Sequence, residues 1–167
     1  MAELTQNERL QPSLLDRLTD DAPDKEQESR EQRVLSIGKL RVCVLRDLAW
    51  LLNTSTLDTI QKLDDYPLAS HSVVNYGIPD LVGTTLSSTN VPEIQLQIRQ
   101  AIWDFEPRIS RESVQVKVTV SESQMNLNAM TFDIEGDLWA QPLPLRLYLR
   151  TELDLETGNM AIIERSA

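Results

Sequence analysis

Residue types able to do chemistry are sparse in this chain and mostly isolated. Glu106 stands out because its carboxylate follows Trp103 and Phe105 and precedes Pro107, Arg108 and Ile109. An acid in apolar company is what a glycosidase-type general acid needs, with a raised pKa and a second carboxylate at fixed separation. Arg108, two positions on, works against that chemistry, since a guanidinium favours the ionised carboxylate and drives its pKa down. The pair therefore reads as a charge-assisted, bidentate lock rather than an acid catalyst. The spacing leaves open whether each charge bonds the other, a backbone group or a neighbouring chain. If buried, such a pair fixes geometry more than it adds stability, and losing one member costs ~3–5 kcal/mol because the other charge stays behind.

No other constellation competes. His71 is the single histidine and has no nearby His or Cys with which to make a metal site. No Gly-x-Ser-x-Gly elbow stands ready to use His71 as a base, and neither a Walker loop nor a Gly-x-Gly-x-x-Gly run is present. Cys43 is the one cysteine, sits among apolar positions and reads as a small buried hydrophobe. We therefore expect no catalytic residue, no metal ligand and no cofactor. The enzymatic alternative is a peptidoglycan hydrolase using Glu106 with a second acid.

The elements that must position Glu106 and Arg108 are legible on both sides. Asn90-Val-Pro-Glu93 looks like a helix start, with Asn90 as N-cap, an early Pro92 and an acid in the first turn. Ile94, Ile98, Ile102 and Phe105 continue as its apolar stripe, and Pro107 stops the helix at Glu106. After Arg111 the period changes from 3.6 to 2. Val114, Val116, Val118 and Val120 alternate with polar residues, as do Met130, Phe132 and Ile134, with a bulge or turn expected at Gly136-Asp137. Leu143 to Leu155 alternates as one long strand, and Glu156-Thr-Gly-Asn159 turns it back into Met160–Ile163.

Upstream, Lys39–Asn53 is the clearest helix. Leu40, Val44, Leu45, Leu48, Leu51 and Leu52 form its stripe, with Arg41, Arg46 and Asp47 towards the other side. Residues 64–68 read as a loop, Ser72–Tyr76 as a short strand, and Pro79 as the opening of a short helix through Val82. Helices first and then an antiparallel meander make an α+β fold. N-terminal helices cover one face of a small, mainly antiparallel sheet of three to five strands, and a terminal strand leaves an open edge.

Residues 37–167 are expected to form that single domain. Residues 1–36 form an N-terminal segment with a short helix over Leu14, Leu15 and Leu18, capped by Ser13, and a charged linker containing a Glu26–Arg30 pair. The leucine face either docks on the domain or serves as a linear motif for a partner groove. Sixteen basic against twenty-six acidic residues give a net charge of −10, which disfavours nucleic-acid backbones and anionic membranes. The first thirty residues lack a signal-peptide core and no 18-residue apolar run occurs, so a cytoplasmic protein without membrane insertion is expected.

Four blocks appear in order: Leu14-Leu-Asp-Arg-Leu18, Val44 to Thr54, Ser72-Val-Val-Asn-Tyr-Gly-Ile-Pro-Asp-Leu81 and Phe105-Glu-Pro-Arg-Ile109. Together they resemble the TssE family of type VI secretion baseplate subunits, related to gene-25-type wedge proteins of contractile phage tails and sometimes labelled lysozyme-like. The resemblance spans roughly residues 13–164. It implies a subunit of a baseplate wedge with TssF, TssG and TssK, at the cytoplasmic face of the inner membrane. It also implies a role in starting the TssB/TssC sheath, by strand exchange with a sheath subunit. The family's Glu-Pro-Arg assembly motif falls on Glu106, Pro107 and Arg108, and Leu14, Leu15 and Leu18 become a second, partner-binding anchor.

Overall fold

Ser36 opens the first long helix, its hydroxyl accepting the Lys39 N–H at 3.1 Å. The computed structural model describes residues 13–19, 23–24, 36–82, 90–119, 129–139 and 144–164. Within them the helices are α1 (Leu14–Leu18), α2 (Ile37–Leu52), α3 (Pro67–Ser70) and α4 (Val91–Phe105). The strands β1 (Gln115–Thr119), β2 (Ala129–Leu138), β3 (Leu145–Asp154) and β4 (Met160–Glu164) form one antiparallel sheet in the order β1-β2-β3-β4. The α+β expectation holds, with four strands. Glu26 and Arg30 of the charged linker, Val120 and Leu143 lie outside the described residues.

Alternation in the strands sorts the two faces of the sheet. Met130, Phe132, Ile134 and Leu138 of β2 and Leu147, Leu149 and Leu153 of β3 are buried on one face. They share a core with Leu40, Val44, Leu48, Leu51 and Leu52 of α2 and Ile94, Ile98 and Ile102 of α4. Burial of each of these side chains stabilises the fold by ~1.5–3 kcal/mol. Thr151 is the polar member of this face, and its hydroxyl donates to the Phe132 carbonyl at 3.4 Å. The opposite face carries a charge ladder. Arg150 meets Asp133 at 2.8 Å across the β2–β3 pair, and Arg146 reaches Glu135 and Asp137 at 3.2 and 3.3 Å.

Asn53, the C-cap of α2, ties the helix layer to the last strand. Its side-chain amide donates to the Met160 carbonyl at 3.0 Å while its oxygen accepts the Met160 N–H at 2.9 Å. The β3–β4 turn closes with Asp154 accepting the Glu156 and Thr157 N–H groups, and with Gly158 at φ 73°.

Four local expectations are corrected. Ser72–Tyr76 is not a strand: Val73–Asn75 is a 3-10 turn, because the Ser72 hydroxyl accepts the Val74 N–H and Asn75 spends its side chain on neighbouring backbone. Pro79 opens no helix. Ile78 pairs with Ser55 in a parallel bridge, and Asp80 accepts the Val82 N–H at 2.9 Å, a side-chain-closed turn. The loop read at residues 64–68 turns into α3 at Pro67. Gly136-Asp137 is neither bulge nor turn, since β2 pairs in register with β3 throughout.

Gly136 is there for another reason. A Cβ at that position would lie 2.7 Å from Cγ2 of Ile109, which packs over the strand. Gly136→Val should therefore lower stability by ~1–3 kcal/mol through overpacking. Urea unfolding measures it, and an unchanged midpoint would mean that Ile109 moves aside freely.

Candidate functional site

Pro107 does end α4, and the chain turns immediately. Glu106 is the C-cap, and its carbonyl accepts the Ile109 N–H at 3.2 Å across Pro107 and Arg108. The segment then lies against the end of β2. The Arg108 carbonyl accepts the Trp139 N–H at 2.8 Å, the Ser110 N–H donates to Asp137 at 2.9 Å, and Ile109 bridges to Leu138.

This backbone path puts Glu106 inside the protein, at 3 % exposure, with Arg108 folded back over it. Arg108 Nε donates to Glu106 Oε1 at 2.7 Å, its Nη2 donates to Oε2, and its own N–H donates to Oε1 at 3.1 Å. Both carboxylate oxygens are thus engaged by one residue, as a fork-to-fork pair requires. Arg108 Nη2 also donates to Asp47 Oδ2, reaching α2 across 61 positions of sequence.

The charges continue beyond Asp47. Arg46 Nε donates to Asp47 Oδ1 at 2.8 Å, and Arg46 Nη2 meets Asp16 Oδ1 at 2.8 Å. Glu106, Arg108, Asp47, Arg46 and Asp16 therefore alternate in sign, linking the helix–sheet joint to α2 and to α1. Arg46 also lies over the Trp50 ring, 5.1 Å from its centroid. Tyr76 braces the same region, with its hydroxyl donating to the Asp47 carbonyl at 3.3 Å and its ring edge-on to Phe105.

Titration follows from these contacts. Burial alone would destabilise the Arg108 cation, but Glu106 and Asp47 outweigh it and raise its pKa above the ordinary arginine value. Its stabilising contribution is present below the unfolded arginine pKa, so raising the pH through neutrality does not remove it while Glu106 and Asp47 are ionised. Asp16 behaves oppositely. Burial raises its pKa, but hydrogen bonds from Ser13, Arg46 and Cys43 prevail and hold it at about 2.

Sequence reading identified Glu106, Pro107 and Arg108 and missed their partners. Arg46 and Asp47 do not face the solvent side of α2; they turn into the joint. The one signal for them is an adjacent Arg-Asp pair bordering a leucine stripe, which names no partner. Asp16 shows the reverse of an ordinary amphipathic helix. Its side chain is 3 % exposed, whereas Leu14 and Leu18 are 71 % and 74 % exposed and Leu15 is exposed as well. His71 lies at the surface with Nδ1 2.8 Å from Asp104 Oδ2. Cys43 is buried, as expected. Among the described residues no group of three or more His, Cys, Asp or Glu is arranged to hold a metal, and no helix is long and apolar enough to cross a membrane.

Because the folded Asp16 pKa is depressed, the contact between α1 and α2 is fully present above the unfolded value of ~3.9 and is lost as pH falls through about 2. Amide exchange at Leu14–Leu18 should show protection falling as pH drops from about 4 through about 2. In Asp16→Asn protection should be low throughout and flat with pH. Equal protection in the two proteins would refute the charge anchor.

Comparison with curated proteins and with solved structures returns no match. A family model described as baseplate wedge protein gp25 matches residues 39–143. That span contains the whole joint, from Arg46 and Asp47 to Glu106 and Arg108, and it begins after α1 and ends before β3. Covering more than half of the 167 residues, it places the chain in the gp25 family of baseplate wedge proteins.

Proposed function

We propose that this chain is a structural subunit of a type VI secretion baseplate wedge that nucleates the contractile sheath by β-strand exchange. Its partners on this reading are the wedge subunits TssF, TssG and TssK and the sheath proteins TssB and TssC, at the cytoplasmic face of the inner membrane. Family membership supports a baseplate role. The observation that carries the strand-exchange step is the outer edge of β4. Both main-chain groups of Met160 bond Asn53, so they point away from β3. By the alternation of an antiparallel ladder, those of Ile162 and Glu164 point the same way. Among the described residues nothing pairs with them. An incoming strand finds main-chain donors and acceptors there, and Asn53 occupies the position where it must stop.

Glu106 and Arg108 serve this reading as a lock. They hold α2, α4 and the end of β2 in one geometry, so that the edge is presented by a rigid body. The engagement of both Glu106 oxygens by Arg108 supports this role over that of a hydrolase acid. Leu14, Leu15 and Leu18 serve as the second anchor. Asp16 turns inward and Arg46 holds it, so the leucines are left to a neighbouring wedge subunit.

Ile162→Pro tests the edge, since its N–H is not used by β3 and a proline is tolerated on an outward-facing edge position. The half-buried Ile162 side chain packs against the core, so Ile162→Ala is the control for its loss. Both variants should melt below the parent by similar amounts and still co-purify with wedge subunits, yet only Ile162→Pro should form no fluorescent sheath foci in cells. Foci at the parental frequency in Ile162→Pro would overturn strand exchange at β4. Leu14→Ser with Leu18→Ser should leave thermal stability unchanged, because both side chains are already in water, and should abolish co-purification with the wedge. Undiminished co-purification would remove α1 as an anchor.

A further inference from the structure

A second apolar surface is built into residues 57–76, away from α1 and the β4 edge. Ile60, Tyr66, Leu68, Val73 and Val74 all lie within this segment and are exposed, Leu68 to 90 % and Val73 to 81 %. Five large apolar side chains left in water by one short, internally ordered segment are the raw material of an interaction site. Polar clasps hold the segment in shape from within. Asn75 accepts the Asp58 N–H at 3.0 Å and donates to the Ser70 carbonyl at 2.9 Å, while Asp58 accepts the Leu63 N–H at 2.9 Å. Leu63 is the residue turned into the protein, at 5 % exposure. His71 fastens the segment to Asp104 of α4, and Tyr76 fastens it to Phe105 and α2. The Asn75 and Asp58 side chains are spent on internal order, while Ile60, Tyr66, Leu68, Val73 and Val74 are left outside. A surface ordered in advance loses little entropy on binding.

We propose that this segment is a docking surface for another protein whose contact face is apolar at its centre and basic at its rim. The exposed charge of this stretch is acidic: Asp64, Asp65 and Asp80 are exposed, against Lys62 as the one exposed cation of residues 57–80. The whole chain carries a net charge of −10, so a second copy and an anionic lipid surface are both repelled, whereas a basic-rimmed partner is attracted. This deepens the baseplate reading and rests on it, because the partner is then one of the wedge subunits.

The test measures binding of the full chain to purified wedge subunits at low and high salt. Leu68→Ser with Val73→Ser should weaken binding by about tenfold or more at an unchanged melting temperature, since neither side chain is packed in the free protein. Asp64→Asn with Asp65→Asn should weaken it several-fold and flatten its salt dependence. Unchanged affinity in the Leu68/Val73 variant would overturn this surface and leave the baseplate reading intact. Failure of the parent chain to bind any wedge subunit would overturn both. Sedimentation showing self-association, or flotation with vesicles, each abolished by the same variant, would replace the proposed partner with a second copy or a membrane.

Discussion

Glu106 is a carboxylate inside the protein at the one point where the helix layer passes into the sheet, and the arrangement around it follows from the need to answer that charge. An unpaired buried anion is too costly to keep. Arg108 supplies two side-chain donors and one backbone donor to it. This works only if the chain reverses at Pro107, which in turn lays Ile109 against β2 and requires Gly136 beneath it. Asp47 then shares the guanidinium, so α2 cannot shift relative to α4 without exposing one charge or stranding another. The pair contributes less to net stability than to uniqueness of geometry, a role suited to a part that must fit among others.

The same logic reaches the surface in steps. Arg46 continues the alternation to Asp16, which fixes α1 by its polar side and leaves its leucines outward. Asn53 performs an analogous task at the far end of α2, holding both main-chain groups of Met160 and so defining where the β4 edge begins. The apolar segment at residues 57–76 is attached through Tyr76 and His71 to the residues that flank the joint. Three exposed features therefore hang from one rigid centre, each held by polar contacts with its binding groups facing solvent.

Much of this was legible from the residues. The leucine stripe of α2, the isoleucine stripe of α4, the proline stop and the alternating strands all follow from local periodicity, and local periodicity is what secondary structure obeys. Glu106 and Arg108 stood out as a candidate lock because they stand two positions apart, but the spacing left their partners open, and only the fold shows that they bond each other. The links from Asp47 to Arg108 and from Asp16 to Arg46 were not legible, since they join residues far apart in sequence and a helix wheel shows only that a charge avoids the stripe. Ser72–Tyr76 misled because two valines suggest a strand, while Ser72 and Asn75 close the backbone on itself first. Gly136 read as a turn because the side chain that excludes a Cβ comes from a different part of the chain.

The central claim is that Glu106 and Arg108 act as one unit. A double-mutant cycle with Glu106→Leu, Arg108→Met and the pair together, followed by urea unfolding, tests it most directly. The account requires a coupling of ~2 kcal/mol or more, with the double variant more stable than either single one, because removing both charges strands neither. Single costs that add to within ~0.5 kcal/mol would contradict it and leave Glu106 and Arg108 as two independent contributors.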